Sequence, residues 1–166
     1  MAFKDLKTSD YVTCGVWGSK GANRFLLAQL RERLGFPETI AAVKRMSQLW
    51  PKATAKLIED KANGPAVIAS LRHRVEGLIA VNPEGGKVAR AQATSPLLEA
   101  GNVFLPHPDL APWVDGFIEE CAVFPNGRHD DQVDQMTQVL RRIRSQPARP
   151  KATPIPTYTG ERGWMV

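Results

Sequence analysis

The chain has 166 residues, 43% of them hydrophobic and 23% charged, enough for one domain of ordinary size whose core needs neither disulfides nor structural metal. Collagen-like, low-complexity and wholly disordered classes are excluded. The formal net charge of +5 invites a nucleic-acid reading, but residues 1–140 hold 16 basic and 16 acidic side chains, so the excess lies in residues 141–166, where Arg141, Arg142, Arg144, Arg149, Lys151 and Arg162 are opposed only by Glu161.

Residues 11–17 are β-branched and aromatic, which predicts a strand. Gly18-Ser19-Lys20-Gly21 is a turn cluster and residues 24–29 resume an apolar run, so the two segments read as an antiparallel hairpin with a loop of four or five residues. Pro37 opens a helix in which Ile40, Val43, Met46 and Leu49 recur at helical spacing, and Pro51 stops it. A short strand over 55–59 follows. Asn63-Gly64-Pro65 then turns into a helix with Val67, Ile68, Leu71 and Val75 on one face. Residues 78–81 form another short strand, and a helix runs from Lys87 to Ala100 with Gly101 at its C-terminal cap. After a brief strand at 103–105, a helix near 110–123 places Val114, Phe117, Ile118 and Cys121 at i, i+3, i+4 and i+7. A last helix, about 130–144, buries Val133, Met136, Leu140 and Ile143. From Gln146 onward the chain turns rich in proline, threonine and arginine. The order implies one α/β domain over residues 1–145, a mixed sheet with helices on both faces, and an extended basic tail over 146–166.

Several chemistries are excluded by motif. There is no GxxxxGK[ST], no GxGxxG after a strand, no GxSxG and no HExxH. Cys14 and Cys121 lie far apart in apolar contexts with no CxxC pattern, so they read as buried reduced thiols rather than zinc ligands. The N-terminus is too charged for a signal peptide and no apolar run approaches about 18 residues, which predicts a soluble intracellular protein. His73 and His107 read as surface residues, and Trp17, Trp50 and Trp113 as core or near-core.

Two acidic groups remain. Glu59-Asp60 ends the strand at 55–59, and active sites of open α/β sheets gather beyond the carboxyl ends of strands. The plainer alternative is an acid complementing the dipole of the next helix. His129-Asp130-Asp131 begins the final helix, and Asp134 lies one turn beyond Asp130 on the same face. Like charges so close repel unless neutralised. A divalent metal does this, and carboxylate oxygens suit Mg²⁺ or Mn²⁺. Helix capping is the competing explanation, good for one Asp and poor for a pair. Two-metal hydrolysis of a phosphodiester needs three or four carboxylates from separate elements. These groups provide two such elements, and a third belongs on the first strand.

At these residues the chain resembles the C-terminal nuclease domain of the large terminase subunit of tailed bacteriophages, which is similar in fold to ribonuclease H. The resemblance is carried by ATAKLIEDKANG over 53–64, Asn82-Pro83-Glu84-Gly85, SPLLEAGN over 95–102, WVDGFIEEC over 113–121 and FPNGRHDDQVDQM over 124–136, with shorter stretches from residue 2 onward. It implies a two-metal, Mg²⁺- or Mn²⁺-dependent endonuclease that cuts concatemeric double-stranded DNA in the bacterial host cytoplasm. By the same resemblance its partners are the portal protein and the small terminase subunit, with no membrane. Carried over by position, Glu59, Asp60, Asp130 and Asp131 are the catalytic residues, with Glu59, Asp130 and Asp131 as metal ligands; Lys87, Arg128, Arg141 and Arg142 are assigned to DNA. The family's first strand carries a further Asp one or two residues ahead of its Ala-Phe-Lys segment, whereas this sequence begins Met1-Ala2-Phe3-Lys4. The expectation is therefore a domain lacking that strand and the ATPase motor. The alternative is a catalytically impaired fragment that acts only as a DNA- or portal-binding module.

Overall fold

The computed structural model describes residues 11–145. The chain forms β1 (Val12–Lys20), β2 (Asn23–Glu32), α1 (Phe36–Leu49), β3 (Lys56–Glu59), α2 (Gly64–Leu71), β4 (Leu78–Val81), α3 (Lys87–Glu99), β5 (Val103–Phe104), α4 (Val114–Val123) and α5 (Asp131–Ser145). This is the mixed α/β order that the sequence predicts. The basic tail over 146–166, and the first ten residues on which the expectation of a missing first strand bears, lie outside the described residues.

The hairpin differs from expectation. β1 and β2 stay paired to Lys20↔Asn23, so the loop is two residues, and Gly18 to Lys20 belong to the strand. Gly21, at φ +59°, supplies the left-handed residue that so tight a turn requires. The register shifts between Val16 and Trp17, a bulge that locally bends and twists the hairpin.

The strands fall into two hydrogen-bonded groups. β1 and β2 are antiparallel, with β5 parallel to β2 on its far side, and β3 pairs with β4 in parallel. Each group has its own apolar cluster. Leu26, Phe117, Met136 and Leu140 pack beneath the hairpin with Trp17 and Trp113 against them, while Val67, Leu71 and Val75 pack with Ile40, Val43, Ile58 and Leu78. Burying each such large side chain contributes about 1.5–3 kcal/mol.

Helix α5 joins the two halves. Of its predicted apolar stripe, Val133, Met136 and Leu140 are buried and Ile143, near the helix end, is half-buried. It packs on β1, α3 and α4, and its approach to β1 is close because Gly15 leaves room for the Gln135 amide. In α4 the predicted face is buried at Val114 and Phe117, and Cys121 packs against the core, but Ile118 is exposed and Glu120 is buried beside that face. The cause is polar, since Glu120 is the centre of a hydrogen-bond network described below. No helix among the described residues is long and apolar enough to cross a membrane.

Candidate functional site

Glu59 is the last residue of β3, level with Val81 of the parallel neighbour β4. The ladder extends one step further, as the Asp60 amide donates to the Val81 carbonyl at 2.7 Å. The chain then turns sharply into α2. Gly64 makes this turn possible, because a Cβ there would overlap the Glu59 carbonyl oxygen. The Glu59 carboxylate is half-buried and faces α5, where the Gln138 side-chain amide donates to it at 3.5 Å. Asp60 is exposed.

Asp130 directly precedes α5 and Asp131 is its first residue. The charge on this helix start is met from α3. Lys87 donates to an Asp130 carboxylate oxygen at 2.7 Å. One turn on, the Arg90 guanidinium grips Asp134 through Nε, at 3.0 Å, and through Nη2. Arg90 also donates to the Gly85 carbonyl at 2.6 Å, so the loop before α3 is tied into the same contact. Lys87 and Arg90 are i, i+3 on α3, and Asp130 and Asp134 are i, i+4 at α5, so two matched rungs face each other. Internal cations neutralise Asp130 and Asp134, in the place where repulsion alone pointed to a metal. For Lys87, partial burial pulls the ammonium pKa down, but the hydrogen bond to Asp130 and the attraction of Asp130, Asp134 and Asp131 together raise it above its ordinary value.

Asp131 has a different environment. Burial raises its carboxyl above the ordinary value, and the neighbouring Glu120 and Asp130 charges push the same way against Lys87 and His129. Its backbone carbonyl accepts from the Thr13 hydroxyl of β1 at 3.3 Å, which pins the start of α5 to the hairpin. Glu120 accepts from both the backbone N–H and the side-chain amide of Gln132, each at 2.7 Å, and pairs with Arg31 of β2 at 3.2 Å. Gln29 donates onward to Gln132 at 3.2 Å. This chain of polar groups crosses the interface between α4, α5 and the hairpin, and it accounts for the buried acid in an amphipathic helix.

The remaining assigned residues sit on the surface. Arg128 is exposed, and Arg141 reaches the Glu84 carbonyl at 3.2 Å, which brings it beside the loop leading to Lys87. Arg142 is exposed on the last turns of α5. His73 and His107 are exposed, as predicted, and both cysteines are free. Burial pushes the Cys14 thiol up, and burial with Glu120 alongside pushes Cys121 up to about 11, so neither is a ready nucleophile at neutral pH.

The residues that sequence reasoning missed are Arg90, Glu120 and Gln138. Each reads as an ordinary helix-surface polar residue along the chain, and each acquires its role from a partner in another element. A fit to divalent metal fails among the described residues: no three His, Cys, Asp or Glu side chains converge as a metal-holding group. Asp130 and Asp134 are turned to α3, and Glu59 is turned to Gln138. Across the chain as a whole, the model of the family described as terminase RNaseH-like domain matches residues 1–142. No curated protein matches.

Proposed function

The chain belongs to the terminase RNaseH-like domain family, and from that membership we propose that it is the nuclease-type module of a viral DNA-packaging terminase, acting on double-stranded DNA. The family implies divalent-metal nuclease chemistry in general. The finer reading is endonucleolytic cleavage of concatemeric DNA in a bacterial host, alongside a portal protein and a small terminase subunit. Glu59, Asp60, Asp130 and Asp131 are the proposed catalytic acids, and Lys87, Arg128, Arg141 and Arg142 the proposed DNA contacts.

The observation that supports this reading is the course of α5. It starts at the Asp130–Asp131 pair and passes Gln138 against Glu59, so one helix spans both acidic groups that the family motifs single out. Arg141 of α5 reaches the Glu84 carbonyl, three residues before Lys87 of α3.

A second reading is favoured by the ion pair at Asp130. With that carboxylate held by Lys87 and no three-acid cluster among the described residues, the module binds DNA or portal without cutting. One experiment separates the two. Supercoiled plasmid is incubated with the full chain in Mg²⁺ or Mn²⁺, and in excess chelator. Metal-dependent nicking that Glu59→Ala and Asp131→Ala abolish supports the nuclease. Salt-sensitive binding without nicking supports the binding module. Cleavage that persists in chelator excludes the metal-dependent account.

A further inference from the structure

A second cationic cluster gathers beside the acid pair, on the hairpin rather than on α3. The β1–β2 register pairs Thr13 with Arg31 and ends at Val12 with Glu32, and Tyr11 and Arg33 are the residues next beyond that last pair. Side chains alternate along strands, so Tyr11, Thr13, Arg31 and Arg33 share one face of the hairpin's open end. That is the face which Thr13 fastens to the start of α5. The Arg31 guanidinium lies over the Tyr11 ring at 4.0 Å and that of Arg33 at 4.8 Å. His129, immediately before Asp130, meets the same ring edge-on with centroids 5.1 Å apart.

We propose that Tyr11, Arg31, Arg33 and His129 form a binding site for the phosphodiester backbone of double-stranded DNA, adjoining the Asp130–Asp131 pair. The inference rests on the DNA-processing reading above and adds to it the path of the strand.

Three observations carry the proposal. First, a joint that only glued the hairpin to α5 would be filled most cheaply by apolar groups. This one gathers two guanidiniums and an imidazole on a single ring, all half-buried and so still open to solvent in part. Second, Arg31 is already ordered by Glu120 at 3.2 Å and by the ring beneath it, while its side chain stays 27% exposed. A guanidinium stacked in this way is pre-organised to offer its fork to phosphate oxygens, and it loses little entropy on binding. Third, the acids repel a polyanion, so DNA reaches them only if cations flank them. Lys87 and Arg141 stand on the α3 side, and the Tyr11 cluster stands on the hairpin side.

The test is dsDNA binding by the full chain, measured by fluorescence anisotropy over a salt series. Arg33→Gln is expected to weaken binding about tenfold and to reduce the magnitude of the log–log salt slope by about 0.9, one released counterion. Tyr11→Leu leaves the charge in place, so it is expected to lower affinity about two- to fivefold with the slope unchanged. Circular dichroism melts check that each variant is folded. If Arg33→Gln or Tyr11→Leu folds and binds like the wild type while Lys87→Gln weakens binding, this site is wrong and the DNA-binding reading stands. If the wild-type chain shows no salt-dependent binding, both fall.

Discussion

Lys87 and Asp130 are bound to each other at 2.7 Å across the α3–α5 interface, although the proposed function gives one to DNA phosphate and the other to the catalytic acids. The pair is partly exposed, with side chains 47% and 34% accessible. Pairs this open contribute at most about 1 kcal/mol to stability, so its consequence is for ligands rather than for the fold. An ion approaching Asp130 must displace the ammonium, and a phosphate approaching Lys87 must draw it off the carboxylate. Replacing Lys87 with Met is therefore expected to leave the urea midpoint nearly unchanged and to tighten Mn²⁺ binding measured by calorimetry. Equal Mn²⁺ affinity in the two proteins would show that Lys87 does not compete for Asp130.

The neighbouring rung behaves differently because it is buried. Arg90 and Asp134 side chains are 6% and 12% exposed, and removal of one partner leaves the other charge desolvated and uncompensated. Asp134→Ala is expected to destabilise the chain by about 3–5 kcal/mol in urea unfolding. The double variant Asp134→Leu with Arg90→Met removes both charges and is expected to recover much of that loss. If Asp134→Ala costs no more than Lys87→Met, the buried rung is energetically no different from the exposed one.

Asp131 gives a pH dependence whose sign follows from its raised pKa, caused first by burial and then by Glu120 and Asp130. The folded chain holds this proton more tightly than the unfolded chain. Stability from it is therefore present at low pH and lost as pH rises through the raised value. Asp131→Asn removes the ionised form and is expected to raise the urea midpoint at neutral pH. The gain should vanish below about pH 4, where the carboxyl is protonated in both states. A gain of the same size at both pH values would trace the effect to something other than ionisation.

These five residues also mark how far the sequence could be read. Helices and strands were legible because apolar spacing reports a local period, and α5 keeps Val133, Met136 and Leu140 buried as that period requires. The hairpin loop is shorter than its turn residues indicate, because pairing across Lys20 and Asn23 overrides the turn propensity of Gly18-Ser19. In α4, Ile118 and Glu120 exchange places because Arg31 and Gln132, from distant elements, satisfy the acid. The acidic motifs were visible as motifs. Their neutralisation was not, since Lys87 and Asp130 are 43 residues apart and nothing in a helical period says which two helices will pack.

Two glycines allow opposite outcomes from the same substitution. Gly64 has an ordinary φ, and its constraint is steric: an added Cβ would overlap the Glu59 carbonyl oxygen, which is backbone and has no rotamer to yield. Gly64→Ala must push α2 away from the end of β3, where Ile58 packs on Val67 and Leu71, and overpacking of this kind costs about 1–3 kcal/mol. The same shift moves Glu59 relative to Gln138 on α5. Any metal-dependent cleavage is then expected to fall by more than the loss of folded protein explains. Gly116, within α4, is exposed, and a Cβ there meets nothing within 4 Å. Gly116→Ala removes the entropy cost of a helical glycine and is expected to stabilise the chain by about 1 kcal/mol. Thermal melts of the two variants should therefore shift in opposite directions, and a shift of the same sign in both would show that the close approach at Glu59 relaxes without cost.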